Sequence, residues 1–417
     1  MMRWRSAGFV GALIGLALGV GARRAQASAE LVGQGEAEVA AGATDNAVSA
    51  PAGTALVQSS TFLTVRGTLR GAVRLPLDTH TLSYQFGQTL FFQAEQANGQ
   101  THALSWNWIH NPGSRAEWQF LAAGTYSRLN SVIPLSTAMA ETATPAAIPS
   151  GPREFLGASA GVAVTLRPTA RALWLESLAT NVYAPLGQGL APGLNAVNLI
   201  RGEQTHGRNG LSIEGTQGYM LVGETRDSFG DVVTPRQETL DGRALLGWRR
   251  EISADWSTSV AAGGLATTRV EGGAIVVGPA WHAGVTYTRP GAVARADLDR
   301  IVQPNLYLGQ ALVADALTAR LALPLDRAAR WNALGLASVQ RSRLVTGSER
   351  LSTAMDLATA SAVLRYQPLD SPLAVSLAYS WFAQRGNVAL GQVFSDMNRQ
   401  VLVLTVIGSW PRDRGGR

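Results

Sequence analysis

The sequence contains no cysteine and no lysine, and only 15% of its residues are charged. Without thiols there can be no disulfide, iron–sulfur cluster or thiolate metal site, so stability must come from packing and closure. Without lysine every basic residue is arginine, a bias that genome composition explains without any appeal to function. Soluble domains carry about a quarter of their residues as charges, so this chain has less surface to offer to water. Long apolar runs are missing as well. Residues 9–22 form the most extended one, and it is too short to read as a helical membrane span.

That run has a specific context. Arg3 and Arg5 precede it, and the small-residue sequence Ala25-Gln26-Ala27-Ser28 follows it. This is the layout of a secretory leader over residues 1–27, cleaved after Ala27. Four arginines leave with it, which takes the formal charge from +6 to about +2. The high isoelectric point is therefore no argument for nucleic acid, and no nucleic-acid partner is expected.

What the chain does contain is alternation. Leu373, Val375, Leu377, Tyr379 and Trp381 alternate with Ala374, Ser376, Ala378 and Ser380. Leu104, Trp106 and Trp108 alternate with Ser105 and Asn107, and Trp281, Ala283, Val285 and Tyr287 with His282, Gly284, Thr286 and Thr288. Period two puts one set against lipid and the other against water on a strand. From Phe62 the same pattern sets Leu63, Val65, Leu69 and Val73 against Thr64, Arg66, Arg70 and Arg74.

Tight-turn sequences punctuate the runs: Pro76-Leu77-Asp78, Asn111-Pro112-Gly113, Arg167-Pro168-Thr169, Arg208-Asn209-Gly210, Arg289-Pro290-Gly291, Pro324-Leu325-Asp326 and Pro368-Leu369-Asp370. Proline fixes φ, while Asn, Asp and Gly tolerate sharp reversals. Longer irregular segments lie between them near 129–152, 184–195, 225–237, 344–356 and 386–397. Short turns alternating with long loops match the periplasmic and extracellular ends of a transmembrane barrel. Trp108, Trp248, Tyr287 and Tyr366 come just before short turns, Trp256 and Trp331 just after, and Trp410 closes the final run. Such aromatics suit an interfacial girdle at the periplasmic headgroup level.

The expected architecture is an all-β transmembrane antiparallel barrel over residues 60–410. Residues 28–59 read as a mobile periplasmic leader and 411–417 as a C-terminal tail. About seventeen runs can be counted, but bacterial single-chain barrels have even strand numbers, so the expectation is 16, with 18 as the alternative.

From the leader through Trp410 the chain resembles bacterial outer-membrane β-barrel proteins of the porin-like class. Residues 400–410, an alternating run ending in Trp410, are similar to the C-terminal strand read by the barrel-assembly machinery, here followed by residues 411–417. The resemblance implies outer-membrane lipid and that machinery as partners. It also implies a channel for ions or small hydrophilic solutes. The alternative is a non-conducting surface or export component that binds a partner or polysaccharide through its extracellular loops, 129–152 foremost.

The pore-lining candidates are the charges on water-facing positions: Arg66, Arg70 and Arg74; Asp241, Arg243 and Arg249; Arg295, Asp297 and Asp299; and Glu117, Arg320 and Arg365. Charges opposed across a lumen would set a transverse field that biases passage. His80, His102, His110, His206 and His282 are scattered, with no metal spacing, nucleophile elbow or phosphate loop beside them. No metal, cofactor or enzymatic activity is expected on these grounds. A triad built from residues distant in sequence would leave no local signature.

Overall fold

The alternating runs form strands of thirteen to seventeen residues. The computed structural model describes residues 29–129, 153–186, 191–226, 232–234, 236–270, 275–305, 310–344, 354–369, 371–386 and 396–410. In chain order the strands are β1 (Glu30–Thr44), β2 (Ser60–Arg74), β3 (Asp78–Phe91), β4 (Gly99–Gly113), β5 (Ala116–Leu129), β6 (Arg153–Thr169), β7 (Ala172–Pro185), β8 (Gly193–His206) and β9 (Asn209–Val222). The short β10 (Thr225–Arg226) and β11 (Val232–Thr234) pair only with each other. Then come β12 (Gln237–Glu251), β13 (Trp256–Arg269), β14 (Val276–Arg289), β15 (Ala292–Asn305), β16 (Gln310–Pro324), β17 (Trp331–Leu344), β18 (Ala354–Tyr366), β19 (Leu373–Arg385) and β20 (Met397–Trp410).

Each long strand pairs antiparallel with its neighbours, and β1 pairs with both β2 and β20, closing an 18-stranded barrel. The strand number is thus the alternative given above. Residues 28–59 are not a leader: Glu30–Thr44 is the first barrel strand, so the barrel begins at 30 rather than 60. Its outward positions are Leu31, Gly33, Gly35, Ala37, Val39, Ala41 and Ala43, whose small side chains give the alternation little hydrophobic amplitude. Pairing along its whole length with β2 holds it in place. The expected leader 1–27 and tail 411–417 lie outside the described residues.

Eight connections at one end span two to six residues, whereas those at the other span four to twenty-three. The short-turn end is the periplasmic one in bacterial barrels, and both ends of the sheet's path lie there. Two of these turns depend on glycine. Gly207 (φ 59) opens the two-residue hairpin between His206 and Asn209, and Gly291 (φ 79) follows Pro290 in the turn between Arg289 and Ala292. The longest extracellular connection, 130–152, lies outside the described residues.

Candidate functional site in the barrel lumen

Register carries one face from strand to strand around the sheet. The outward face bears the exposed apolar side chains, among them Leu31, Val65, Leu69, Leu246, Leu377 and Leu404. All twelve charged positions singled out in the sequence have the opposite parity and stand on the lumen wall. They do not form a single array. The structure divides them into walls with different partners.

On β1 and β2, Glu38 faces Arg66, Gln34 faces Arg70 and Glu30 faces Arg74. Arg66 Nη1 donates to both carboxylate oxygens of Glu38 at 3.3 and 3.2 Å, and the two side chains are 5% and 12% exposed. Gly87 on β3 leaves room for that guanidinium, because a Cβ there would meet Arg66 Cγ at 3.4 Å. Arg74 and Glu30 make a single contact of 3.3 Å, with more than half of each side chain exposed. The acidic partners of this stripe were missed because they lay in the segment read as a leader.

A second group spans β8, β9 and β12. Arg243 Nη2 bonds Glu214 Oε1 at 2.6 Å, Arg201 bonds Glu203 at 2.9 Å and Arg249 bonds Glu251 at 3.3 Å. Asp241 fits against the bare backbone of Gly218, where a Cβ would lie 2.4 Å from its Oδ1. Glu117 on β5 stands apart, as does Arg365 on β18, whose Nη2 donates to Gln367 Oε1 at 3.1 Å.

The third wall is β13 to β16. Arg295 clasps Asp297 with two bonds, 2.6 and 2.9 Å. His282 Nδ1 donates to Asp299 Oδ1 at 2.7 Å, and its Nε2 lies 3.1 Å from Ser259 Oγ. Strand pairing puts Ser259 opposite Gly284 and Gly284 opposite Asp297, so a glycine lies at the centre of these polar groups. A Cβ on Gly284 would meet Ser259 Oγ at 2.8 Å, Asp297 Oδ1 at 2.9 Å and His282 Nε2 at 3.2 Å. Arg320 faces Arg295 directly and has no ion-pair partner among the described residues. On the extracellular side Leu245, Leu265 and Ala280 form a buried cluster, packed by Ala261, Val302 and Val313. Spacing in sequence gave no sign that His282, set aside as scattered, would meet Ser259 and Asp299.

The extracellular part of the lumen is narrowed from the β1–β2 side. Residues 45–59 fold inward: Ala47 is buried against Phe62, Phe91, Ala94, Ala97 and Val401. Asn46 closes a loop by exchanging two 2.8 Å bonds with Ala50. Gln400 N donates to Asp45 Oδ1 at 2.7 Å, and the buried Arg399 donates to Ser49 Oγ at 3.2 Å and Thr44 Oγ1 at 3.3 Å. Neighbouring inner-wall residues at this level, including Gln340, Leu357 and Gln384, are buried too.

The aromatics Trp108, Trp248, Trp256, Tyr287, Trp331, Tyr366 and Trp410 all face outward near the short-turn end. Trp256 and Tyr287 are cross-strand partners with ring centroids 4.9 Å apart, and Trp331 and Tyr366 pair likewise at 4.6 Å. Trp108 stacks on His80 and donates from Nε1 to Asp78 Oδ1 at 2.8 Å.

A closed sheet leaves no backbone group unpaired to lipid, and here its outer face is mostly apolar and its inner face polar. The chain is a closed 18-stranded β-barrel with the sidedness of a membrane-spanning one. No protein-family model and no curated protein matches the sequence. Among solved structures it is similar to OccK2 (OpdF) of Pseudomonas aeruginosa, at 8% identity and TM-score 0.47, over 91% of this chain and 98% of that one. It is also similar to the siderophore receptor PirA of Pseudomonas aeruginosa, at 8% identity and TM-score 0.45, over 91% and 80%. The ferric citrate transporter FecA matches at 12% identity and TM-score 0.42, over 89% of this chain and 63% of that one, so the chain spans less than two thirds of FecA.

Proposed function

We propose that this barrel is an outer-membrane transport channel that passes ions or small hydrophilic solutes by diffusion. The supporting observation is the polarity of its wall: charged groups line the interior, while lipid-sized apolar side chains cover the exterior. Arg70 and Arg74 are exposed to the lumen near the periplasmic end and favour anions there. Residues 45–59 set the extracellular opening. A non-conducting surface component is the second reading, favoured by the buried inner wall at that same end.

Single-channel conductance of the refolded mature chain in a planar bilayer separates the two. The channel reading expects discrete steps, enlarged when residues 46–57 are replaced by two glycines. A folded barrel that is silent in both forms overturns it and leaves the surface role.

A further inference from the structure

We propose that Ser259, His282 and Asp299 form a nucleophilic hydrolytic centre on the lumen wall, acting on small carboxylic esters. Hydrogen bonding fixes the imidazole tautomer. The Asp299 carboxylate can only accept, so Nδ1 carries the proton, and in the neutral ring Nε2 presents its lone pair to the Ser259 hydroxyl. That is the polarity in which a histidine serves as base to a serine while a carboxylate orients it.

The molecule contains its own counter-example. His110 Nδ1 also bonds a carboxylate, Asp78 Oδ1, at 2.9 Å, but it lies on the outer face, where Trp108 Nε1 takes the same carboxylate oxygen. No serine stands at its other nitrogen among the described bonds. His282 differs in having the hydroxyl and in facing the lumen, where the bare backbone of Gly284 lets Ser259 Oγ, His282 Nε2 and Asp297 Oδ1 occupy the space a side chain would take. A substrate carbonyl approaching Ser259 Oγ from the lumen meets the nucleophile with its base 3.1 Å away. Above it, towards the extracellular end, the wall is apolar, formed by the buried Leu245, Leu265 and Ala280.

The reaction balances with water as the only co-reactant. Ser259 Oγ bonds to the ester carbonyl carbon as its proton passes to Nε2. The C–O bond to the alcohol then breaks, and the leaving oxygen takes that proton. Water attacks the acyl-serine, gives a proton to Nε2, and releases the acid as Oγ is reprotonated. Ladder pairing uses the backbone N–H groups, so the oxyanion relies on side-chain donors, the Ser257 and Thr286 hydroxyls paired in the next row. Arg320 lies two strands from Gly284 and one inner-face step further along, about 12 Å between Cα atoms at ordinary sheet spacings. Its guanidinium, without an ion-pair partner among the described residues, makes it the specificity residue for esters that carry a carboxylate.

The test is covalent labelling of the folded, refolded mature chain with a fluorophosphonate and peptide mapping of the adduct. The proposal expects one adduct, on Ser259, absent from Ser259→Ala and His282→Gln and formed about 10²- to 10⁴-fold more slowly by Asp299→Asn. Heat-modifiable gel mobility verifies that each variant is folded, and Ser259→Ala, the least disruptive, keeps the test valid if the others are not. In Arg320→Gln the KM for 4-acetoxybenzoate should rise several-fold, with that for phenyl acetate unaffected. No adduct on Ser259 of the folded wild type overturns the proposal, as does labelling undiminished in folded His282→Gln. The outcome is independent of conductance: a labelled but silent barrel loses the channel reading only, and a conducting but unlabelled one loses this centre only.

Discussion

β2 and β13 are nine strands apart whichever way the barrel is traversed, so the wall carrying Arg66, Arg70 and Arg74 directly faces the wall carrying Ser259. Both are rich in polar groups, but they use them differently. On the β1–β2 wall Arg66 and Arg74 each pair with a glutamate on the neighbouring strand, and the burial of those pairs falls from Arg66–Glu38 to Arg74–Glu30. On the β13–β16 wall the bonds run in a relay from serine to histidine to aspartate, and Arg320 has no ion-pair partner among the described residues. What a lumen charge does therefore follows from its bonds rather than from its presence, and a field computed from formal charges would misjudge both walls.

The sharpest way to break this contrast is at Glu38. Glu38→Gln leaves a guanidinium that is 5% exposed without its counter-charge, a change expected to cost about 3–5 kcal/mol. The midpoint of urea unfolding in detergent micelles reads it. The double variant Glu38→Leu with Arg66→Met removes both charges and should recover most of that loss. If the single variant unfolds like wild type, the first wall is not structural.

Gly284→Ala probes the opposite wall. The new methyl would press on Ser259 Oγ and Asp297 Oδ1 at under 3 Å. Fluorophosphonate labelling should fall at least about tenfold as the serine is displaced from Nε2, since nucleophile and base need hydrogen-bond contact. The same substitution removes a flexible residue from a strand, so unfolding should shift by less than about 1 kcal/mol. Equal losses in stability and labelling would make the serine relay a packing feature.

Legibility in the sequence follows the same division. β19 announces itself because Leu373, Val375, Leu377 and Tyr379 alternate with alanines and serines at full hydrophobic contrast. β1 does not, because glycine and alanine fill its lipid face, and its place is fixed by two neighbours that sequence alone does not supply. The inward parity of all twelve charges could be read from local alternation. Their pairing could not. Ser259, His282 and Asp299 lie on three successive strands, and one residue of slip between them would turn a whole strand face outward and dissolve the relay. Only the fixed register brings them together.

Arg70 and Arg74 stand at the exposed part of the first wall, and their smaller role should appear in permeation rather than stability. Arg70→Gln with Arg74→Gln should move the reversal potential in a salt gradient towards cation preference, leaving the unfolding midpoint within about 1 kcal/mol of wild type. An unchanged reversal potential removes both arginines from the conducting path.

The smallest effect is expected at Glu30. Its carboxylate meets Arg74 at 3.3 Å with the two side chains 62% and 56% exposed, so solvent screens the attraction and two long side chains must be ordered to make it. Glu30→Gln should therefore cost no more than about 0.2–1 kcal/mol, and even that should vanish when ionic strength is raised towards 1 M. Glu38→Gln should be nearly insensitive to the same salt, because its pair lies out of water's reach. The two measurements use one strand pair and one chemical change. If their salt dependences coincide, burial does not grade this wall, and the contrast with the wall facing it must be sought elsewhere.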